Sequence, residues 1–166
     1  MACKVTTKAR SKSDRLRDAV KVLCREITYW RDGLQCVERN IDGGHCGGGM
    51  QWGHVVPQGQ SAYLALDLGN AHVQCAAHNT IHGHFQAVYN DWVRSKFGNR
   101  SFDALKQARS DYEGYQFDEP ELLEKLAQYN ELYDNRFHAS VDVESLVSAG
   151  YYGEFIKEAW IKEGRI

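Results

Sequence analysis

The chain has 166 residues, 43% hydrophobic and 25% charged, with a formal net charge of −2. That is the composition of a soluble globular chain with one principal domain, and no apolar run approaches the ~20 residues of a membrane helix. The first residues, MACKVTTKARSKSDR, include bases but no apolar segment after them, so a secretory signal is not expected and a reducing cytoplasmic compartment is.

The charge is unevenly placed. Residues 1–31 carry nine Lys/Arg against three acids, and residues 110–166 carry thirteen acids against five bases. A basic N-terminal part points to phosphate contact. Five cysteines, at 3, 24, 36, 46 and 75, are odd in number and irregularly spaced, which argues against a disulfide framework.

In chain order, residues 1–12 read as a disordered basic arm. From Ser13, which can cap a helix, Leu16, Ala19, Val20, Leu23, Ile27 and Trp30 recur at three- and four-residue steps, and Asp32-Gly33 ends the pattern. Cys24 falls on its apolar side. Arg15, Arg17, Lys21 and Arg25 fall on the outer face, where they could follow a nucleic-acid backbone. Residues 33–51, GLQCVERNIDGGHCGGGMQ, hold six glycines and read as a loop framed by Cys36 and Cys46. The loop has no P-loop lysine, so nucleotide binding is rejected.

Residues 50–57 predict a short strand carrying His54. A long connection, 58–69, leads to Asn70 and a short extended piece, His72-Val73-Gln74. From about Ala76 a helix carries His78, Asn79, His82, Phe85, Val88, Tyr89, Trp92 and Val93. Further helices are expected from Ser101, from Glu119-Pro120, over Asp142 to Ala149, and over Tyr151 to Glu163. The C-terminal helices carry no nameable chemistry.

Cleaving a phosphodiester needs a base for water, a cation for the developing charge and a group that orients the base. His54 can be that base, since the neutral imidazole is accessible near pH 7. Asn70 could hold its ring by a hydrogen bond. Asn79, nine positions later, could turn its amide oxygen to a divalent ion, with His82 and His84 as further ligands; magnesium, manganese or zinc would suit such a mixed site. A second ion is expected at Cys75 and His78, a CxxH half of a tetrahedral zinc site. Cys36 and Cys46 would supply the other half, with His45 able to replace Cys46 and His82 able to compete.

With these residues in place, the segment resembles the Cys-rich branch of the HNH endonucleases, and more closely the lambdoid phage NinG/Rap recombination nucleases. The residues that carry the resemblance are AVKVLCRE (19–26), Cys36, WGH (52–54), NAHVQCAAHN (70–79) and Tyr89, over about residues 16–98. Arg39 stands where the family has its second cysteine, and His78 where it has its last. Gly53 stands where many HNH enzymes have a metal-binding Asp. The resemblance implies an α+β fold: a ββα-metal core with a structural zinc over residues 13–98, flanked by helices, with an acidic helical region over 99–166.

It further implies a magnesium- or manganese-dependent DNA endonuclease acting on branched recombination intermediates, such as Holliday junctions and D-loops. His54, Asn70 and Asn79 would be catalytic. Arg15, Arg17, Lys21, Arg25 and His72 would contact DNA. The setting would be a host cytoplasm if the chain is phage-encoded, with no membrane partner and with a homodimer matching a symmetric junction. The alternatives are a sequence-preferring HNH nickase or double-strand endonuclease, and a zinc-containing nucleic-acid-binding module without cleavage.

Overall fold

The computed structural model describes residues 10–41, 46–80, 82–139 and 142–166, with the backbone alone for 82–85. The fold is mixed α+β, mostly helical, with one small antiparallel sheet. Helix α1 spans Lys12–Arg31 and is capped by Ser11 rather than Ser13. The Ser11 hydroxyl accepts from the Asp14 N–H at 3.1 Å while the Asp14 carboxylate accepts from the Ser11 backbone. That reciprocal arrangement satisfies two of the donors a helix start leaves open, and it places Lys12 in the helix rather than in the arm. Residues 1–9 of that expected arm lie outside the described residues.

Strand β1 (Met50–His54) pairs antiparallel with β2 (Ala71–Cys75), Met50 opposite Cys75 and His54 opposite Ala71. The connection is built from three 3-10 turns, Gln58–Gln60, Leu64–Leu66 and Leu68–Asn70. Leu64, Leu66 and Leu68 are fully buried, so this stretch is part of the core. Helix α2 (Ala76–Thr80) follows β2 directly, and α3 spans His82–Phe97. Then come α4 (Asn99–Asp111), α5 (Glu119–Asn135, with Pro120 in its first turn), α6 (Val143–Ser148) and α7 (Gly153–Lys162). No described helix is long and apolar enough to cross a membrane.

Helix α1 lies along α5, and α4 along α7. The face of α1 read from its periodicity supplies Val20, Cys24 and Ile27 to the core, joined by Tyr89, Val93 and Phe97 of α3 and by Leu122 and Tyr129 of α5. Burying such side chains fully contributes about 1.5–3 kcal/mol each. Two buried polar tips of the core are satisfied by carbonyls: the Tyr129 hydroxyl donates to Leu66 O at 2.5 Å and the Trp160 indole to Phe97 O at 2.8 Å.

The last turn of α1 ties the sheet to the C-terminal helices through one cation. Arg31 donates to the carbonyls of Leu68 (2.8 Å), Ala71 (2.6 Å) and Tyr151 (3.0 Å), and forks onto Asp32 at 2.7 and 3.0 Å. Asp32 also accepts from the Val73 N–H at 2.9 Å. Although burial opposes its charge, Arg31 beside Asp32 holds that carboxyl well below the usual range. Arg31→Ala should therefore leave a buried carboxylate unpaired and three carbonyls short of donors. Its expected cost is about 3–5 kcal/mol, to be read from the urea midpoint; a loss below ~1 kcal/mol would contradict this reading of the network.

Candidate functional site

Two clusters of chemistry-bearing residues sit on the strand pair, one at each end. At the β2 exit, the ligand atoms of Cys36, Cys46, Cys75 and His78 all lie within 4.8 Å of one another. His78 Nδ1 is 3.2 Å from Cys36 Sγ, 3.7 Å from Cys46 Sγ and 3.2 Å from Cys75 Sγ. Tetrahedral zinc, with bonds of about 2.3 Å to sulfur and 2.0–2.1 Å to nitrogen, requires sulfur–nitrogen edges of about 3.5 Å. The cluster could hold a metal such as zinc, and Cys36 and Cys46 complete the CxxH pair. His45 lies outside the described residues.

Local sequence explains the convergence. Gly48 has φ +76°, a conformation other residues avoid, and a side chain there would meet Ala76 Cβ at 2.7 Å. The glycine-rich loop can thus lie flat on the start of α2, which donates from Ala76 to Gly49 O (2.9 Å) and from Ala77 to Gly47 O (3.0 Å). Gly47 N–H points back to Cys75 Sγ at 3.4 Å. Burial pushes the Cys36 thiol up to about 12. Cys75 is brought down to about 7, since backbone donors at His78 and Gly47 outweigh its desolvation. A lowered thiol gives up its proton to a metal readily.

Glu38, fully buried beside this cluster, was not singled out from the sequence. Its Oε2 is 3.8 Å from His78 Nδ1, and its Oε1 accepts from Gln74 Nε2 at 3.2 Å. Gln74 in turn lies over Gly53: a Cβ at position 53 would stand 1.7 Å from Gln74 Oε1. A side chain at position 53 would push Gln74 out of this rotamer and with it break the Gln74–Glu38 contact, so no carboxylate fits there while Gln74 stays in place. The sequence signal was a glycine inside a strand, which marks a close approach.

His54 ends β1 and is 5% exposed. Its ring meets the edge of Trp52 at 4.4 Å between centroids. Nδ1 lies 3.4 Å from Nε2 of the exposed Gln58, while its own Nε2 is buried without a hydrogen-bond partner among the described residues. Desolvation lowers the ring to about 4, outweighing backbone carbonyl contacts from Ala65 and Trp52, and the charge of Lys21 acts in the same direction. The imidazole is neutral at pH 7.

Asn70 does not hold that ring. Its carboxamide oxygen accepts from Val56 N–H at 2.7 Å, and its nitrogen donates to the carbonyls of Val56 and Leu64, both at 2.9 Å. It clamps the loop that leaves His54, because three buried backbone groups there have no strand partner. Asn79 is half-buried on α2 and donates to Gln51 Oε1 at 2.7 Å. The side chains of His82 and His84 lie outside the described residues.

His72 is no DNA contact: it is fully buried, stacked on Phe97, with Nδ1 2.9 Å from Arg31 Nη2. The same Nδ1 stands 3.5 Å from Asp32 Oδ2, and burial lowers the ring to about 4, so it is neutral at pH 7. Periodicity could not reveal this, since strand β2 is buried on both faces. On α1, Arg15 and Arg25 are exposed and Arg17 and Lys21 half-buried. Arg17 reaches Asp14 at 3.7 Å and Arg25 reaches Glu26 at 3.5 Å.

Two measurements test these environments. Cys75→Ser should release the one zinc per chain that elemental analysis is expected to find, together with most of the thermal transition, since a structural zinc contributes on the order of 10 kcal/mol. Full zinc retention with unchanged melting would remove the metal centre. Separately, the His54 and His72 rings should stay neutral by NMR until the pH falls below about 5. Because unfolded histidine protonates near ~6.5, both add stability that is complete above that pH and is lost on the way down to about 4. A midpoint of 6 or higher for either ring would contradict its burial. Comparison with family models, with curated proteins and with solved structures finds no match for this chain.

Proposed function

We propose that the chain is a zinc-stabilised DNA endonuclease of the HNH type, most like the lambdoid phage NinG/Rap nucleases. The observation that carries the proposal is a buried, neutral imidazole fixed at the end of a metal-tied hairpin. The order β1, β2, α2 supports a ββα core, with Cys36, Cys46, Cys75 and His78 binding the structural ion. His54 takes the proton of the attacking water at Nδ1, on the side of exposed Gln58, and keeps its own proton at the buried Nε2. Asn70 acts as a positioning residue through the loop it clamps, and Lys21, whose charge is felt at His54, would help to draw in the scissile phosphate. Branched DNA is the proposed substrate, and a homodimer its symmetric reader.

The magnesium or manganese ion that the resemblance implies is not matched by these residues. Such ions favour carboxylates with substrate phosphate. The described hydrogen-bond partners of His54, Asn70 and Asn79 are carboxamide or backbone groups, and position 53 is closed by Gln74. The same observation favours the second reading, a zinc-containing nucleic-acid-binding module that does not cleave.

Cleavage of a four-way junction and of a duplex of the same sequence, each with and without added magnesium or manganese, separates the readings. His54→Ala is expected to lower cleavage by roughly 10²-fold or more, with zinc content and DNA binding retained. Absence of cleavage by the wild type under every condition establishes the binding module, and equal cutting of junction and duplex removes the preference for branches.

A further inference from the structure

A cleft of about 360 Å³ lies between α3, α6 and the loop that carries Cys36, outside the histidine site. Arg39 borders it from the loop and Lys96 from the last turn of α3, with Asn40 and Trp92 between them. Arg31 and Asp32 also line it, but they neutralise each other at 2.7 Å. Arg39 and Lys96 are exposed, and neither has an acidic partner among the described residues. Arg39 donates to the neutral side chain of Gln35. In four other clefts on this protein acids equal or outnumber bases. This cleft therefore departs in sign from a chain whose formal net charge is −2.

The loop side of the cleft is held in place by the metal cluster. Cys36 is a ligand three positions before Arg39; Val37 N–H donates to Val73 O of β2 at 2.9 Å, and Arg39 N–H to Cys36 O at 3.2 Å. A guanidinium so carried is pre-oriented for the paired oxygens of a phosphate. The half-buried Trp92 offers an apolar wall, against which a sugar or base can rest.

We propose that this cleft is a second DNA-backbone subsite, in which Arg39 and Lys96 bind phosphates of a strand or arm other than the one presented to His54. It rests on the reading of the chain as a DNA-binding nuclease and deepens it: a substrate with more than one arm has backbone to offer at two separate places. The zinc ion thereby has a binding role besides a folding one, because it fixes the segment that presents Arg39.

The test uses the full zinc-loaded chain, without added divalent cation so that binding is read apart from cleavage. Fluorescence anisotropy with a labelled single strand, a duplex and a four-way junction gives the affinity and its salt dependence. The Arg39→Ala/Lys96→Ala double variant is expected to lower the slope of log affinity against log salt by about 2 and to weaken binding roughly tenfold or more at 0.1 M salt on at least one of the three DNAs. Arg39→Lys, which keeps the charge, should retain the wild-type slope. Unchanged slopes on all three DNAs overturn the subsite, whether or not the chain cleaves. A wild type that binds with the expected slope and never cleaves overturns the nuclease reading and leaves the subsite standing.

Discussion

Four ligand atoms drawn from three separate stretches of chain, on Cys36, Cys46 and the Cys75–His78 pair, lie within 4.8 Å of one another, close enough to share a metal ion, and the small sheet is built around that convergence. A two-stranded hairpin is marginal by itself in water, and five-residue strands bring few ladder bonds. The loop before β1 carries glycines whose ordering costs more backbone entropy than any other residue's. A metal held there would close the 36–46 and 46–75 intervals and offset that cost at the point where the loop, β2 and α2 touch. It would also fix the path from Cys36 to Arg39, and with it the placement of one exposed guanidinium.

The opposite end of the strand pair is fixed without a metal. There the chain must leave β1 at His54 and return to β2 through turns that bury leucines, so backbone groups are buried with no strand to satisfy them. Asn70 supplies one acceptor and two donors to Val56 and Leu64, and Asp67 accepts from Gly69 and Asn70 at 2.9 and 3.2 Å. The backbone that leaves His54 is thus held by buried hydrogen bonds rather than by strand pairing. The asparagine acts at one remove from the ring, which is a firmer arrangement than a single side-chain hydrogen bond.

Much of this was legible in the sequence where periodicity or spacing carries physical content. The apolar rows of α1 and α5, the proline opening α5 and the CxxH pair each impose one local geometry, and the structure follows them. Cys36 and Cys46 could be named as candidate metal ligands because few other side chains in a glycine-rich loop can bind a soft cation. What could not be read were contacts that depend on the third dimension. His72 looks like a polar residue on a strand edge, yet it is buried because Arg31, 41 positions earlier, reaches it across the sheet. Glu38 looks like a loop acid, and its burial beside His78 follows only from the fold of the metal loop. The Ser11 cap was missed by two positions because Ser11 and Ser13 are chemically equivalent, and only the Asp14 carboxylate decides between them.

Gly53 joins the two ends of the sheet. The side chain that covers it, Gln74, is held by Glu38, and Glu38 stands 3.8 Å from the metal-facing nitrogen of His78. A run of contacts therefore leads from the cysteine cluster, along the helix-facing side of the strands, to the residue immediately before His54. Beside the buried Glu38 carboxylate, that run carries carboxamides: Gln74 donates to Glu38 at 3.2 Å and Asn79 to Gln51 at 2.7 Å. The amide pair is made without the desolvation cost of a further buried anion. On the proposed nuclease reading, the electrostatics at His54 would come from the neutral imidazole and the cations of α1. On the same reading, phosphate contact would fall to Arg39 and Lys96 at a separate cleft, so that proton transfer and backbone binding would be carried by different residues.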